Sequence, residues 1–285
     1  MITLCDAALD VLGCGDAKEK AEKSRKHAAA WRDNTISQIG LVTDMPDRPA
    51  RPAHPELLPA TQMPRRRKAG SKASKVALLH AIAHIELNAI DLAWDIMARF
   101  AKYSDQNAKD GFSIPDEFFD DWVKVGDDEA KHFLMLEERL NDFDATYGDL
   151  PAHDGLWESS IRTKEDFAAR LAVVPMVLEA RGLDVTPNMI AMMQKQNDQK
   201  TAEFLQIIHD DEITHVRAGT VWFEHWCAYH NRDVEDYWQE LVKTYFNGRL
   251  KSPFNHPSRE EAGMIRDWYE PLADMDFSTE DISDA

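Results

Sequence analysis

The sequence is poor in cysteine, with only Cys5, Cys14 and Cys227 in 285 residues. They form neither a CxxC pair nor a regular framework. That excludes a zinc ribbon, a rubredoxin-like iron site and a disulfide scaffold, and it suits free thiols in a reducing compartment. Basic charge is scarce too: 33 Lys and Arg against 51 Asp and Glu leave a net charge of -18, which repels nucleic acid in bulk. The N-terminus lacks the basic start, apolar run and small-residue cleavage site of a secretory signal. No apolar run is read as approaching the ~20 residues that cross a bilayer, and the longest candidate, LAVVPMVLEA, contains Pro175 and runs into Glu179. A cytoplasmic protein with no membrane partner is expected. Strand alternation is missing as well, which leaves an all-α chain.

What is present is helical texture around a proline-rich interruption. After a first helical stretch, MPDRPARPAHPELLPATQMPRRRKAGSK reads as a connecting arm, because proline blocks helix and favours extended backbone. Its basic cluster, Arg65, Arg66, Arg67, Lys68, Lys72 and Lys75, reads as a solvated linker in preference to a nucleic-acid or partner contact. Four long helical patterns follow. Ser74 is the expected cap of the first, Pro115 and Asp116 open the second, and Thr163 precedes the third. Pro175 should bend the third pattern one turn before Glu179, and RGLDVTP reads as a second break. The expected partition is 1–73 for an N-terminal helix and arm, 74–230 for a four-helix bundle, and 231–285 for a C-terminal helix with a mobile acidic end, STEDISDA.

One pattern occurs twice: Asp127, Asp128, Glu129 and then His132; Asp210, Asp211, Glu212 and then His215. Residues three apart on a helix lie about 60° apart around its axis, so each Glu and His face the same space and can share a metal. Di-iron bundles take a Glu-x-x-His from each of two helices and one Glu from each of the other two. Glu86 in HAIAHIELNAI and Glu179 in VVPMVLEARG, each among apolar neighbours, supply the remaining pair. Helix-hairpin symmetry supports the set: the midpoint of Glu86 and Glu129 falls at Asn107 and Ala108, and that of Glu179 and Glu212 at Lys195 and Gln196, both in polar, turn-like stretches. Asp128 and Asp211 are candidates to orient a histidine from outside the metal. Carboxylate and imidazole donors suit iron or manganese and also admit zinc.

Other eye-catching residues have plainer readings. Solvated helix faces are often acid-rich, but two copies with two buried partners argue against decoration here. His80 and His84 read as structural, and His209 as packing near the ligand face. Trp94, Trp222, Trp226 and Met176, Met189, Met192 and Met193 read as core.

Together HAIAHIELNAIDLAWD, DDEAKHF, LEARGLDVTP and DDEITHV resemble a bacterial ferritin-like family catalogued as a domain of unknown function, over roughly Pro46 to Gly263. The chain is also similar, more distantly, to the tRNA hydroxylase that oxidises the isopentenyl group of a modified adenosine. The resemblance implies a non-haem di-iron centre on the same six residues and supplies no substrate. The expected activity is that of an oxygenase using dioxygen on an unknown organic substrate, with two Fe ions or a manganese-containing pair. The electron donor is unidentified, and the oligomer is open, a homodimer included. A ferroxidase or peroxide-reducing protein is the first alternative, and a metal-stabilised interaction scaffold the second.

Overall fold

The computed structural model describes residues 2–59, 62–63, 70–108 and 111–277. Arg65, Arg66, Arg67 and Lys68 of the basic cluster, and the STEDISDA end, lie outside the described residues. The fold is all-α: among the described residues there are no strands, only isolated bridges such as Leu57 with Ala152. The helices are α1 (Leu4–Leu12), α2 (Ala17–Arg32), α3 (Lys72–Phe100), α4 (Asp116–Asn141), α5 (Gly155–Arg162), α6 (Phe167–Val173), α7 (Ala180–Lys195), α8 (Gln199–His230), α9 (Val234–Tyr245), α10 (His256–Glu261) and α11 (Arg266–Tyr269). A π-helical turn, Val174–Glu179, joins α6 to α7.

The chain divides into two compact units, one of Met1–Glu158 with Met192–Phe204, the other of Ser159–Ala191 with Leu205–Ala285.

In the first unit α3 packs along α4, α2 lies on α4, and α1 lies on α3. The α3 cap is Ser71, whose hydroxyl accepts from Ser74 N at 3.2 Å, so Ser74 sits inside the first turn instead of capping it. Pro115 and Asp116 do open α4, with Asp116 and Glu117 in the first turn where the helix dipole favours acids. Helix α3 corrects the reading of apolar runs. Within Lys72–Tyr103 one window reaches a mean hydropathy of 1.4 and is long and apolar enough to span a membrane, but 78% of it is buried inside the protein. It is a core helix.

Its polar residues are held individually. Lys20 of α2, fully buried, donates to Ala50 O at 3.0 Å and to Asp91, which Arg51 also approaches at 3.1 Å. Arg51 further donates to Asn88 at 2.7 Å, and Arg99 to Pro46 O at 3.2 Å. The proline-rich segment is therefore pinned to α3 along its described part. Ser24 accepts from Trp94 Nε1 at 2.7 Å and donates to Gly126 O at 2.6 Å, locking α2 between α3 and α4.

In the second unit α6 packs on the π turn and on α9, and α11 packs on α9. Asp166, not Thr163, caps α6, accepting from Ala169 N at 2.9 Å. Thr163 instead donates to Ser159 O and Ser160 O, ending α5, and accepts from Arg170. The expected break at RGLDVTP is absent: α7 runs through Pro187. A proline strips the carbonyl four residues earlier of its helical donor, and here Asn255 Nδ2 supplies Leu183 O with a replacement at 3.0 Å. Asn255 N and Arg259 also hold Asp184, Arg259 by two bonds of 2.9 and 2.8 Å, with its guanidinium over the rings of Phe254 and Tyr269. A loose C-terminal extension would not do this.

Candidate metal centre

The first unit brings together three of the expected ligands. Glu86 projects from the middle of α3, and Glu129 and His132 from the middle of α4; all three are buried, at 2%, 0% and 0% exposure. Ligand atoms from the three lie within 4.8 Å of one another, close enough to hold one metal ion. His132 Nδ1 is 3.2 Å from Glu86 Oε2 and 3.6 Å from Glu129 Oε2. The connection between α3 and α4 falls at the sequence midpoint of Glu86 and Glu129, which is why the two carboxylates meet at one height. Burial pushes the Glu86 carboxyl well above the ordinary range, and the neighbouring Glu129 charge pushes it further, against the pull of His132.

Two carboxylates this close in a dry interior repel each other, and a divalent cation is the kind of group that relieves both the repulsion and the desolvation. The donor set, two carboxylate groups and an imidazole with no thiolate, fits a hard or borderline metal such as iron or manganese.

The second unit repeats the local geometry. Glu212 and His215, one helical turn apart on α8, are buried at 7% and 0%, with His215 Nδ1 3.8 Å from Glu212 Oε2. Glu179 closes the π turn, the irregular backbone that Pro175 announced, although its side chain is half-buried where the sequence suggested full burial. A π turn inserts one extra residue per turn and so re-aims the side chains that follow. Helix α8 approaches this turn at Gly219: a Cβ there would lie 2.5 Å from Pro175 Cγ and 2.6 Å from Pro175 Cβ. Gly182, in the first turn of α7, would place a Cβ 4.0 Å from the Glu212 carboxyl carbon, an ordinary contact.

Asp128 takes Lys124 and Lys131 on its two oxygens at 2.8 Å each, and the Asp211 carbonyl accepts from Thr214. His84 is structural as expected, lying between Tyr147 and the His153 carbonyl, and burial lowers its pKa to about 4. His80 accepts from Gly148 N at 3.0 Å. His209 packs against Ser258 at 3.4 Å. Trp94, Met176, Met193 and Trp222 are core, while Met189, Met192 and Trp226 are half-buried. All three cysteines are free and buried. Sequence reading missed the Lys20, Arg51 and Asp91 cluster; its members are 31 and 40 residues apart in order, and only the length of the buried stretch around Asp91 hinted that the acid needed partners.

Residues 13–270 match the model of a family described as a protein of unknown function, DUF455. An uncharacterized protein of Haemophilus influenzae is 35% identical over 246 residues, covering 83% of this chain and 84% of the relative. No solved structure matches. With the match spanning both units and all six candidate ligands, the chain belongs to the DUF455 family of proteins of unknown function.

Proposed function

We propose that the protein is a ferritin-like, non-haem di-iron oxygenase, in which Glu86, Glu129, His132, Glu179, Glu212 and His215 hold two metal ions. The observation that carries the reading is the buried Glu86, Glu129 and His132 cluster, whose ligand atoms lie within 4.8 Å, together with the same Glu-x-x-His arrangement on α8. A four-carboxylate, two-histidine set is the one that bundles use for paired iron or manganese. Such a pair, when bound, supplies electrons to dioxygen and a route to oxygen insertion into an organic substrate.

The chain's own residues have separable tasks. Burial favours the protonated Glu86 carboxyl, so a metal ion bound there would have to displace that proton. Helices α3 and α4, locked through Ser24, fix the spacing of the first three ligands. The π turn gives Glu179 a less regular backbone than the other ligands have, which suits a carboxylate that changes its coordination. The carboxylate of Asp128 is engaged by Lys124 and Lys131 and does not serve to orient a histidine, while the apolar faces of α3 and α4 keep water from the reacting centre.

The test is metal analysis of protein purified without added metal, followed by anaerobic iron loading and exposure to oxygen in a stopped-flow spectrometer. The expected result is about two metal ions per chain and oxygen-dependent absorption changes, both lost in Glu129→Ala. Rapid oxidation of many irons per chain without organic substrate would point to a ferroxidase. Absence of bound metal and of any oxygen reaction would leave the scaffold.

A further inference from the structure

A cavity of about 520 Å³ opens in the first unit between the end of α1 and the proline-rich segment. Leu9, Leu12 and Gly13 form one wall, and the stretch from Asp44 to Ala50 forms the other. Its volume is that of a small-molecule site, and such sites combine an apolar lining with a few polar groups. Leu9, Leu12, Pro46 and Pro49 supply the apolar part here.

The second wall has no regular secondary structure, yet its backbone is fastened at four points. Pro46 O accepts from Arg99 of α3 at 3.2 Å, Asp47 O from Trp157 of α5 at 2.9 Å, and Ala50 O from Lys20 of α2 at 3.0 Å. Ala50 N donates to Leu12 O at 2.8 Å and ties this wall to the first. Covering α3 would call for such bonds but not for a hollow behind them. A wall fixed in this way keeps the cavity open before a ligand arrives, and the ligand is spared the cost of ordering it.

The charges around the opening decide what fits. Arg48 donates to Asp154, which neutralises it. Asp44 pairs with no basic side chain among the described residues. Helix α1 ends at the cavity with Gly13 as its cap and no basic residue in its last turn, so no side chain of its own offsets the negative end of the helix dipole. A net charge of -18 on the whole chain acts in the same direction.

From this arrangement we infer that the cavity is a binding site for a small organic amine. The apolar body of the ligand lies against Leu9, Leu12, Pro46 and Pro49, and its ammonium group faces Asp44 and the end of α1. The site uses none of the residues of the Glu86 cluster and stands whether or not that centre holds metal.

The test titrates the full chain with phenethylamine, and in parallel with phenethyl alcohol and hydrocinnamate as its uncharged and anionic counterparts, following binding by ligand-detected NMR. Saturable binding of the amine, tighter than that of either counterpart, is expected. Asp44→Asn should weaken the amine about fivefold, the worth of one exposed charge pair, and leave the alcohol unchanged. Asp154→Asn frees the Arg48 guanidinium and should move the preference from the amine toward the carboxylate. Leu9→Trp, at a half-buried position, should abolish binding by filling the space. Circular dichroism checks that each variant is folded. The inference is overturned if the amine shows no saturable binding in the millimolar range, if it binds no tighter than the alcohol, or if folded Asp44→Asn and Leu9→Trp both bind it as the wild type does.

Discussion

Gly219 and Gly182 are both helical glycines near the α8 ligands, yet they should respond to alanine in opposite directions. At Gly219 the new methyl would meet two carbons of the Pro175 ring at 2.5 and 2.6 Å and Met176 Cγ at 3.4 Å. Carbon atoms settle at about 3.5–4.0 Å, so α8 and the π turn must separate by ~1 Å. The proline ring cannot rotate aside. Overpacking of this kind costs about 1–3 kcal/mol, occasionally more, against a helix-propensity gain of about 1 kcal/mol on replacing glycine. The balance is a net loss of up to about 2 kcal/mol, which lowers Tm by about 2–4 °C per kcal/mol in a chain of this size. At Gly182 the nearest atom among the described residues outside its own helix is the Glu212 carboxyl carbon at 4.0 Å, so the propensity gain stands nearly alone and Gly182→Ala should stabilise by up to about 1 kcal/mol. Thermal unfolding of both variants by circular dichroism, under identical buffer and metal conditions, reads the difference directly. Because Glu179 ends the π turn that Gly219 touches, Gly219→Ala should also weaken metal uptake, while Gly182→Ala should spare it. Stabilisation by both substitutions would refute the close-approach argument.

Three further outcomes are expected. Arg259→Met takes the two short bonds from the buried Asp184 and leaves it Arg181 at 3.5 Å, and should cost up to about 3 kcal/mol, the low end for a broken buried pair; chemical denaturation should show a substantial part recovered in the double variant with Asp184→Asn. Burial raises the Asp198 carboxyl, but bonds from Lys75, Thr201 and Arg139 outweigh it and hold its pKa at about 2, below the ordinary value of about 3.9. Its contribution is therefore complete above about pH 4 and is lost as pH falls through the folded value; the Tm gap between wild type and Asp198→Asn should be widest near neutrality and shrink in acid. Ser24→Ala leaves Trp94 Nε1 without its buried acceptor and should cost about 1–3 kcal/mol, measured by urea unfolding.

The elements legible in the sequence were those fixed by local rules. The repeated Glu-x-x-His spacing, the α3–α4 connection at the midpoint of Glu86 and Glu129, the opening of α4 at Pro115 and the irregularity after Pro175 each depend on a few adjacent residues. Caps were harder, because Ser71 and Ser74 offer the same chemistry three residues apart, and so do Thr163 and Asp166 within one turn. Backbone context chose between them. Helix α7 passing through Pro187 was not legible, since the donor that permits it comes from Asn255, 68 positions later. Lys20 stands among charged residues along α2, with nothing nearby in sequence to mark it, and only the return of α3 and Arg51 makes it a buried partner of Asp91.

The amide of Asn255 fills a hydrogen bond that Pro187 cannot make for itself. Each of these residues thereby sets what the other can become. A chain with an ordinary amino acid at 187 has no need of a donor at 255, and one that keeps the proline is penalised for losing the amide. Substitutions at the two positions should be non-additive: Asn255→Ala harmful in the native background and milder once Pro187 is Ala. In a lineage of such chains the two sites should change as a pair, so that the freedom of one helix in the middle of the protein is recorded in a loop near its end.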